Sequence, residues 1–313
     1  MKEKVGKMKD GNTQIYISLA NKAKEENRAG DTIHFLQLAL KGAEGEERLE
    51  LLFALAMELE EAGDLFSALD VFGRIQREYP EEAGADYGMA MVHESLGEVK
   101  KAERYYLSAL NKAPDYASAA FFLANLYDTC GRGELEEYYY HQVLKTDEDY
   151  MTYNNLGSFY EERGQYGKAK AYLEKSIALR GDYFLSHFNL GVVEKALGNR
   201  EAAQRAYLKA LDLNPGYENV YLNLSALYIE DFFYEKSEKI LHLGIKNAPK
   251  AYNLYYNLSC SMLHLHREEE AFAMMQKALE LSSDLAMFLK TDEDFIPYHE
   301  DERYQRLLEE AEK

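Results

Sequence analysis

The residues that most clearly suggest chemistry are asparagines, which recur at a fixed interval in the second half of the chain. Four of them form a row with a spacing of 34 residues: Asn155, Asn189, Asn223 and Asn257. An asparagine amide offers both a hydrogen-bond donor and an acceptor, as a peptide backbone does. This row therefore predicts binding of an extended peptide with little regard to its sequence. Asn219 and Asn253, each four residues before a member, extend the row on one helical face, and Asn154 adjoins it.

Signatures of catalysis and metal binding are lacking in the sequence. The histidines include one close pair, His264 and His266, whose spacing of two directs them to different faces of a helix. No HExxH motif, glycine-rich phosphate loop or nucleophile elbow is present. The sequence therefore predicts a protein that is not an enzyme and that uses no cofactor and no metal ion.

Composition and charge narrow the classes of partner. The 313 residues carry a formal net charge of −19, which would repel the phosphates of nucleic acids. Neither a membrane span nor the apolar core of a signal peptide can be recognised. The two cysteines, Cys130 and Cys260, lie outside any CxxC motif and fit a reducing compartment. We therefore expect a cytoplasmic protein that binds neither nucleic acid nor membrane; the oligomeric state stays open.

A repeat of about 34 residues organises the chain. In residues 184–217, two halves with apolar residues at helical spacing flank a Gly-Asn turn signal, and an Asn-Pro pair closes the second half. The turn glycine recurs at Gly30, Gly63, Gly97, Gly131, Gly164 and Gly198, and further steps of 34 reach Phe232 and His266. Four prolines share another repeat position: Pro80, Pro114, Pro215 and Pro249. Each repeat is therefore a helical hairpin that must bury its apolar faces against neighbours.

The pattern resembles the tetratricopeptide repeat (TPR). In residues 184–217 the matching positions hold Leu190, Gly191, Gly198, Ala203, Tyr207, Ala210 and Pro215, while His187 and Glu194 depart from the pattern. The resemblance implies an all-α, right-handed superhelical solenoid of about eight helix-turn-helix hairpins with a C-terminal capping segment. We expect one domain over residues 1–313, with repeats at about 16–48, 49–82, 83–116, 117–149, 150–183, 184–217, 218–251 and 252–285 and a cap over 286–313. Within the cap, the residues expected to face the last repeat are Phe288, Phe295, Tyr304 and Leu307.

In the TPR superhelix the asparagine stripe would line the inner, concave groove, as in the asparagine ladder of the TPR domain of the O-linked N-acetylglucosamine transferase. Neighbouring Phe188, Leu222 and Tyr256 would then select side chains of the bound segment. Acidic residues near the ends of the first helices border the same surface and are either a strip that favours basic peptides or a solvated face: Glu60, Glu61, Glu94, Asp128, Glu161 and Glu162.

The resemblance thus implies a non-catalytic protein-interaction scaffold, of a type common in bacteria, that binds an extended peptide or a partner segment in its groove. The alternatives are a peptide-responsive regulatory sensor and an assembly subunit that binds through its convex face. Sensors of this family typically carry an N-terminal effector domain, whereas about a dozen residues precede the first predicted helix. The co-chaperone type is disfavoured because no lysine occupies its leading clamp position, and the RNA-binding pentatricopeptide type needs a 35-residue period and basic residues.

Overall fold

The computed structural model describes the backbone of residues 2–311 and the side chains of residues 12–311. All regular elements in this part of the chain are helical, which confirms the predicted all-α class. The contacts between residues divide the chain into two compact units, Met1–Glu148 and Asp149–Lys313.

The first unit consists of four helical hairpins. They are α1 (Lys2–Glu25) with α2 (Ala29–Ala39), α3 (Gly45–Glu61) with α4 (Leu65–Glu78), α5 (Ala83–Ser95) with α6 (Val99–Lys112), and α7 (Ala117–Thr129) with α8 (Gly133–Thr146). Within this unit, the second helix of each of the first three hairpins packs against the first helix of the next hairpin, so that neighbours bury the apolar faces that a lone hairpin would expose.

The second unit holds four more hairpins and the capping segment. The hairpins are α9 (Tyr150–Glu162) with α10 (Tyr166–Leu179), α11 (Phe184–Ala196) with α12 (Arg200–Leu213), α13 (Glu218–Glu230) with α14 (Tyr234–Asn247), and α15 (Tyr252–His264) with α16 (Glu268–Leu281). A short helix α17 (Leu285–Leu289), a 3₁₀ helix (Ile296–Tyr298) and α18 (Glu302–Ala311) follow. Side chains of the cap join those of α12 to α16 in one apolar core.

The turns within the hairpins have the predicted register in seven of eight cases. Left-handed backbone occurs at Gly63, Gly97, Gly131, Gly164 and Gly198, and also at Phe232 (φ 60°) and His266 (φ 57°). In each turn, the N–H of the residue after the left-handed one donates a hydrogen bond to the carbonyl oxygen five residues earlier. Asn199, for example, donates to Glu194 at 2.9 Å. This bond ends the first helix in a Schellman motif.

The turn predicted at Gly30 is wrong. Gly30 lies inside α2, and the left-handed residue of this turn is Asn27 (φ 54°). Asparagine tolerates this conformation better than other residues with a side chain, so that it replaces glycine there at low cost. The first helix also begins earlier than predicted, at Lys2 rather than near residue 16.

Small residues lie where the two helices of a hairpin approach most closely. Ala203 is fully buried, as are Ala102, Ala169 and Ala271. A Cβ atom added to Gly191 would lie 2.5 Å from ring carbons of Tyr207. Because such contacts leave no room for a methyl group, the small residues of the repeat are required by packing.

The cap buries three of the four residues predicted to face the last repeat. Phe295, Tyr304 and Leu307 are buried, but Phe288 is 63% exposed, so that the prediction for Phe288 is wrong. Leu285 and Leu289, four residues apart on α17, occupy the buried face of this short helix. Ala286 is buried as well, so that the buried face is centred between Leu285 and Ala286, and Phe288 lies outside it.

Candidate functional site: the asparagine row

The asparagine row, Asn155, Asn189, Asn223 and Asn257, lies entirely in the second unit, with one member on each first helix α9, α11, α13 and α15. All four side chains are partly buried. First helices of neighbouring hairpins contact each other at both ends of the row, α9 with α11 and α13 with α15. The 34-residue spacing therefore brings the amides of adjacent hairpins to one face of the unit.

At the N-terminal end, a buried asparagine joins two members of the row. Asn154 is 5% exposed, and its carbonyl oxygen accepts hydrogen bonds from Asn189 Nδ2 and Ser186 Oγ, both at 3.1 Å. Its own Nδ2 donates to Asn155 Oδ1 at 3.3 Å. These bonds fix which way the amide of Asn189 faces, because the nitrogen must point toward α9.

A chain of hydroxyls holds Asn154 in place. Ser186 Oγ lies 2.7 Å from Ser176 Oγ, and Ser176 Oγ donates to the Tyr150 carbonyl oxygen at 2.7 Å. Both serines are fully buried. The two hydroxyls supply one hydrogen each to these three contacts, and the contacts connect α9, α10 and α11 through buried polar groups.

At the C-terminal end, one side-chain bond of the row joins neighbouring hairpins, and it is longer than the bond between Asn189 and Asn154. Asn257 Nδ2 donates to Ser225 Oγ at 3.4 Å, which links α15 to α13, and Asn223 Nδ2 donates to the Asn219 carbonyl oxygen of its own helix at 2.9 Å. The two predicted extensions differ: the side chain of Asn219 is exposed, whereas the Oδ1 atom of Asn253 is buried without a partner among the described residues.

The row retains hydrogen-bonding capacity after these contacts. Within the described part of the chain, the side-chain oxygens of Asn189, Asn223 and Asn257 accept no hydrogen bond, and each nitrogen uses one of its two hydrogens. An incoming peptide could therefore donate its N–H to these oxygens and accept from the remaining hydrogens. This arrangement suits binding and provides no nucleophile or general acid.

Family comparison decides the class of the chain. Two family models, both described as tetratricopeptide repeat, match residues 53–117 and 148–215. The chain is a tetratricopeptide repeat protein. TPR arrays serve in general as scaffolds for protein–protein interactions. No protein of curated function matches the sequence.

Solved structures show the same TPR fold at low sequence identity. The C-terminal part of a TPR protein from Cytophaga hutchinsonii is 17% identical, with a TM-score of 0.61, over 78% of this chain and 98% of that one. PilF of Pseudomonas aeruginosa is 18% identical, with a TM-score of 0.58, over 70% and 97%. The APC/C hetero-tetramer Cut9–Hcn1 is 18% identical, with a TM-score of 0.58. The match covers 91% of this chain and 53% of that one, so that this chain spans about half its length.

The three predicted selector residues take part in the packing of this TPR unit. Phe188, Leu222 and Tyr256 are partly buried and pack against its core. The ring of Phe188 contacts those of Tyr207 and Tyr217, with centroids 6.0 and 5.2 Å apart. Each of the three residues lies next in sequence to a member of the row, and its side chain packs against the core.

Other sequence-predicted candidates stand apart from the row. Cys260 is buried, which raises the pKa of its thiol well above the usual range, while Cys130 is exposed, and both are free. His264 stacks on Tyr234 at 4.4 Å and contacts Asp294 Oδ1 at 3.0 Å. Among the described residues, no group of histidine, cysteine or acidic side chains could hold a metal ion. Nor does any described helix combine the length and apolarity that crossing a bilayer requires.

Sequence reasoning missed the role of Ser176 and Ser186. Their repeat positions hold small or apolar residues elsewhere in the TPR array, such as Ala210 and Val220, both fully buried. The available signal was a hydroxyl at positions where most other repeats, apart from Thr152, have an apolar residue or glycine, because a buried hydroxyl requires a partner.

Proposed function

We propose that this TPR protein is a non-catalytic scaffold that binds an extended segment of a partner protein along the asparagine row. The observation that carries the proposal is the partial use of the row amides. Each of Asn189, Asn223 and Asn257 has one N–H committed inside the protein and keeps a carbonyl oxygen and a second hydrogen for a ligand. An amide that is already oriented loses less entropy on binding than a free side chain.

The spacing of the row suits an extended chain. Packed helices lie about 8–10 Å apart, and an extended peptide rises about 3.3 Å per residue. Adjacent amides would therefore meet the bound segment at about every third residue. Because the bonds would be to backbone groups, affinity would depend weakly on sequence, and Phe188, Leu222 and Tyr256 would add preference for particular side chains.

An array of linear peptides tests this proposal. Peptides of about ten residues would span the four first helices in an extended conformation. The tightest binders to the wild-type protein are then measured against a variant with Asn189→Ala, Asn223→Ala and Asn257→Ala. We expect binding to weaken at least about tenfold, equivalent to about 1.4 kcal/mol, while the circular dichroism spectrum and Tm stay close to those of the wild type.

A matched control changes exposed positions on second helices. Glu174→Ala, Lys209→Ala and Gln276→Ala together remove one negative, one positive and one neutral side chain, all exposed on α10, α12 and α16. This control should bind like the wild type. If the asparagine variant binds every selected peptide with wild-type affinity, the row is not the binding surface.

A further inference from the structure

Two first helices of the first unit carry the same series of an aromatic ring, a methionine and a glutamate. Its members, called the methionine strip below, are Phe53, Met57 and Glu60 on α3 and Tyr87, Met91 and Glu94 on α5. Each member on α5 lies 34 residues after its counterpart on α3. Spacings of four and then three residues place the three side chains of each helix along one face.

Ring contacts join neighbouring first helices beside the strip. A Cβ atom added to Gly84 on α5 would lie 3.0 Å from the ring of Phe53 on α3. One turn after Gly84, the ring of Tyr87 contacts Phe122 on α7, with centroids 6.0 Å apart, and Tyr116 at 5.2 Å. The two halves of the strip therefore lie on adjacent helices that touch each other.

The side chains of the strip are open to solvent. Met57 is 59% exposed, although methionine is an apolar residue that proteins often bury. Phe53, Tyr87 and Met91 are partly buried, so that each keeps part of its surface accessible. Methionine is flexible and polarizable, which allows such a surface to fit apolar side chains of different shapes.

The carboxylates at the end of the strip leave one negative charge without a partner. Glu60 is partly buried, and within the described part of the chain its carboxylate forms neither an ion pair nor a hydrogen bond. Burial raises the pKa of this carboxyl group. On α5, Glu94 Oε2 accepts a hydrogen bond from Tyr106 Oη at 2.6 Å. A cation beside Glu60 would offset the cost of its partial burial.

The strip differs from the asparagine row in what it offers to a backbone. The repeat positions that hold the row asparagines in the second unit hold Ala54, Gly88 and Phe122 in α3, α5 and α7. None of these residues has a side-chain donor or acceptor. An extended segment would lose water from its backbone groups here without gaining hydrogen bonds, whereas a helix satisfies those groups internally. The surface therefore favours a helical ligand.

We propose that the methionine strip binds a basic amphipathic helix of a partner protein. Apolar side chains of that helix, spaced three and four residues apart, would contact Phe53, Met57 and Met91, and a lysine or arginine would pair with Glu60. The net charge of −19 attracts a basic helix. This inference goes beyond the asparagine row, because the strip lies in the first unit and includes no residue of the row.

Two peptides of identical composition and charge test the proposal. The sequence LKKLLKKLLKKLLK places its leucines on one face of a helix, and LKLKLKLKLKLKLK places them on one face of a strand. Both are titrated by fluorescence anisotropy in about 0.15 M salt. The protein is the triple asparagine variant (Asn189→Ala, Asn223→Ala and Asn257→Ala), in which the row cannot contribute.

We expect a Kd on the order of 10 μM for the helix-period peptide and about tenfold weaker binding of the strand-period peptide. Attraction to an acidic protein alone would act equally on both peptides. Equal affinity for the two, or no binding of the helix-period peptide, would overturn the proposal. Because the row is absent from this experiment, its outcome is independent of the proposed function.

Substitution of the methionines assigns the binding to the strip. Met57→Gln combined with Met91→Gln should weaken binding of the helix-period peptide at least about tenfold. The matched control is Phe66→Gln combined with Leu107→Gln, which changes two exposed apolar residues on the second helices α4 and α6. The control should bind with unchanged affinity, and the Tm of each variant checks that the fold is kept. Unchanged affinity in the methionine variant would contradict the proposal.

The charge is tested separately. Glu60→Gln should weaken binding of the helix-period peptide about threefold and reduce its dependence on salt. The matched control is Glu46→Gln, which removes an exposed carboxylate from the first turn of the same helix and should leave the affinity unchanged. If Glu60→Gln binds as tightly as its control, the carboxylate does not pair with the partner helix.

Discussion

Asn189 on α11 donates its side-chain amide to the carbonyl oxygen of Asn154 on α9 at 3.1 Å. This bond connects the first helices of two consecutive hairpins through a buried polar group. It also leaves the carbonyl oxygen and one amide hydrogen of Asn189 for a ligand. The asparagine row therefore has a defined orientation at this end, whereas at Asn257 the corresponding bond is longer, at 3.4 Å.

The contact between Gly191 and Tyr207 predicts a large effect of one methyl group. In Gly191→Ala the new Cβ would meet ring carbons at 2.5 Å, so that the helices must move apart. We expect a loss of about 1–3 kcal/mol in the free energy of unfolding, measured by urea denaturation. The control is Gly167→Ala in α10, where nothing lies within 4 Å and a gain of up to about 1 kcal/mol is expected. A smaller loss in Gly191→Ala than in a conservative surface variant would contradict the packing described.

Phe232 has a left-handed backbone conformation that is unfavourable for phenylalanine and less unfavourable for asparagine. It has a φ of 60° where five other turns have glycine, and its side chain is 76% exposed, so that burial offsets little. Asparagine is more tolerant of this conformation than a bulky residue. Phe232→Asn should therefore raise the free energy of unfolding by about 0.5–1 kcal/mol. A decrease would show that the Phe232 ring contributes packing that the structure does not reveal.

Two phenylalanines of the cap should differ strongly in their contribution to the free energy of unfolding. Phe295 is fully buried in the core shared with α12 to α16, and Phe295→Ala should cost about 3–5 kcal/mol. Phe288 is 63% exposed, and Phe288→Ala should change stability by less than about 0.5 kcal/mol. Urea denaturation of the full chain measures both. Similar losses in the two variants would mean that the cap packs in a different orientation.

Asp301 is expected to contribute to the loss of folding stability at low pH. Its hydrogen bonds with the side chain and then the backbone N–H of Arg303 lower its pKa from 3.8 to about 2. Because the folded-state pKa is the lower one, this contribution is present above the unfolded-state pKa and is lost as the pH falls toward about 2. Asp301→Asn should therefore lose less stability than the wild type between about pH 4 and pH 2.

The control for this pH dependence is Asp284→Asn, because the side chain of Asp284 forms no capping hydrogen bond. Urea midpoints of the wild type and of this control should fall in parallel as the solution is acidified. If the Asp301→Asn curve also runs parallel to them, the Asp301–Arg303 contact does not contribute to stability.

The hairpin register could be predicted from sequence because it depends on local chemistry. Glycine and proline mark turns through their own backbone preferences, and the period then placed Phe232 and His266 in the same conformation without any glycine. The four members of the asparagine row follow from the same period. The turn at Asn27 could not be predicted in this way, because asparagine replaces glycine there and lies three residues before the predicted Gly30.

Side-chain partners between helices could not be predicted in this way. The bond from Asn189 to Asn154 depends on how closely α9 and α11 approach, and a repeat period carries no information on that distance. The orientation of α17 was similarly open, since a helix of five residues has too few positions to define a buried face. The sequence therefore predicts Phe288 in the core, whereas the structure has Leu285 and Leu289 there.

The most direct test of the central claim asks whether the row binds backbone rather than side chains. The best peptide from the array is resynthesised with single amide groups replaced by esters, each of which removes one backbone N–H. On the wild-type protein, esters at about every third position should weaken binding about tenfold, whereas alanine at the same positions should have little effect. On the triple asparagine variant, the same esters should have no further effect. If the esters weaken binding to both proteins equally, the asparagine row does not bind the peptide backbone, and the account is contradicted.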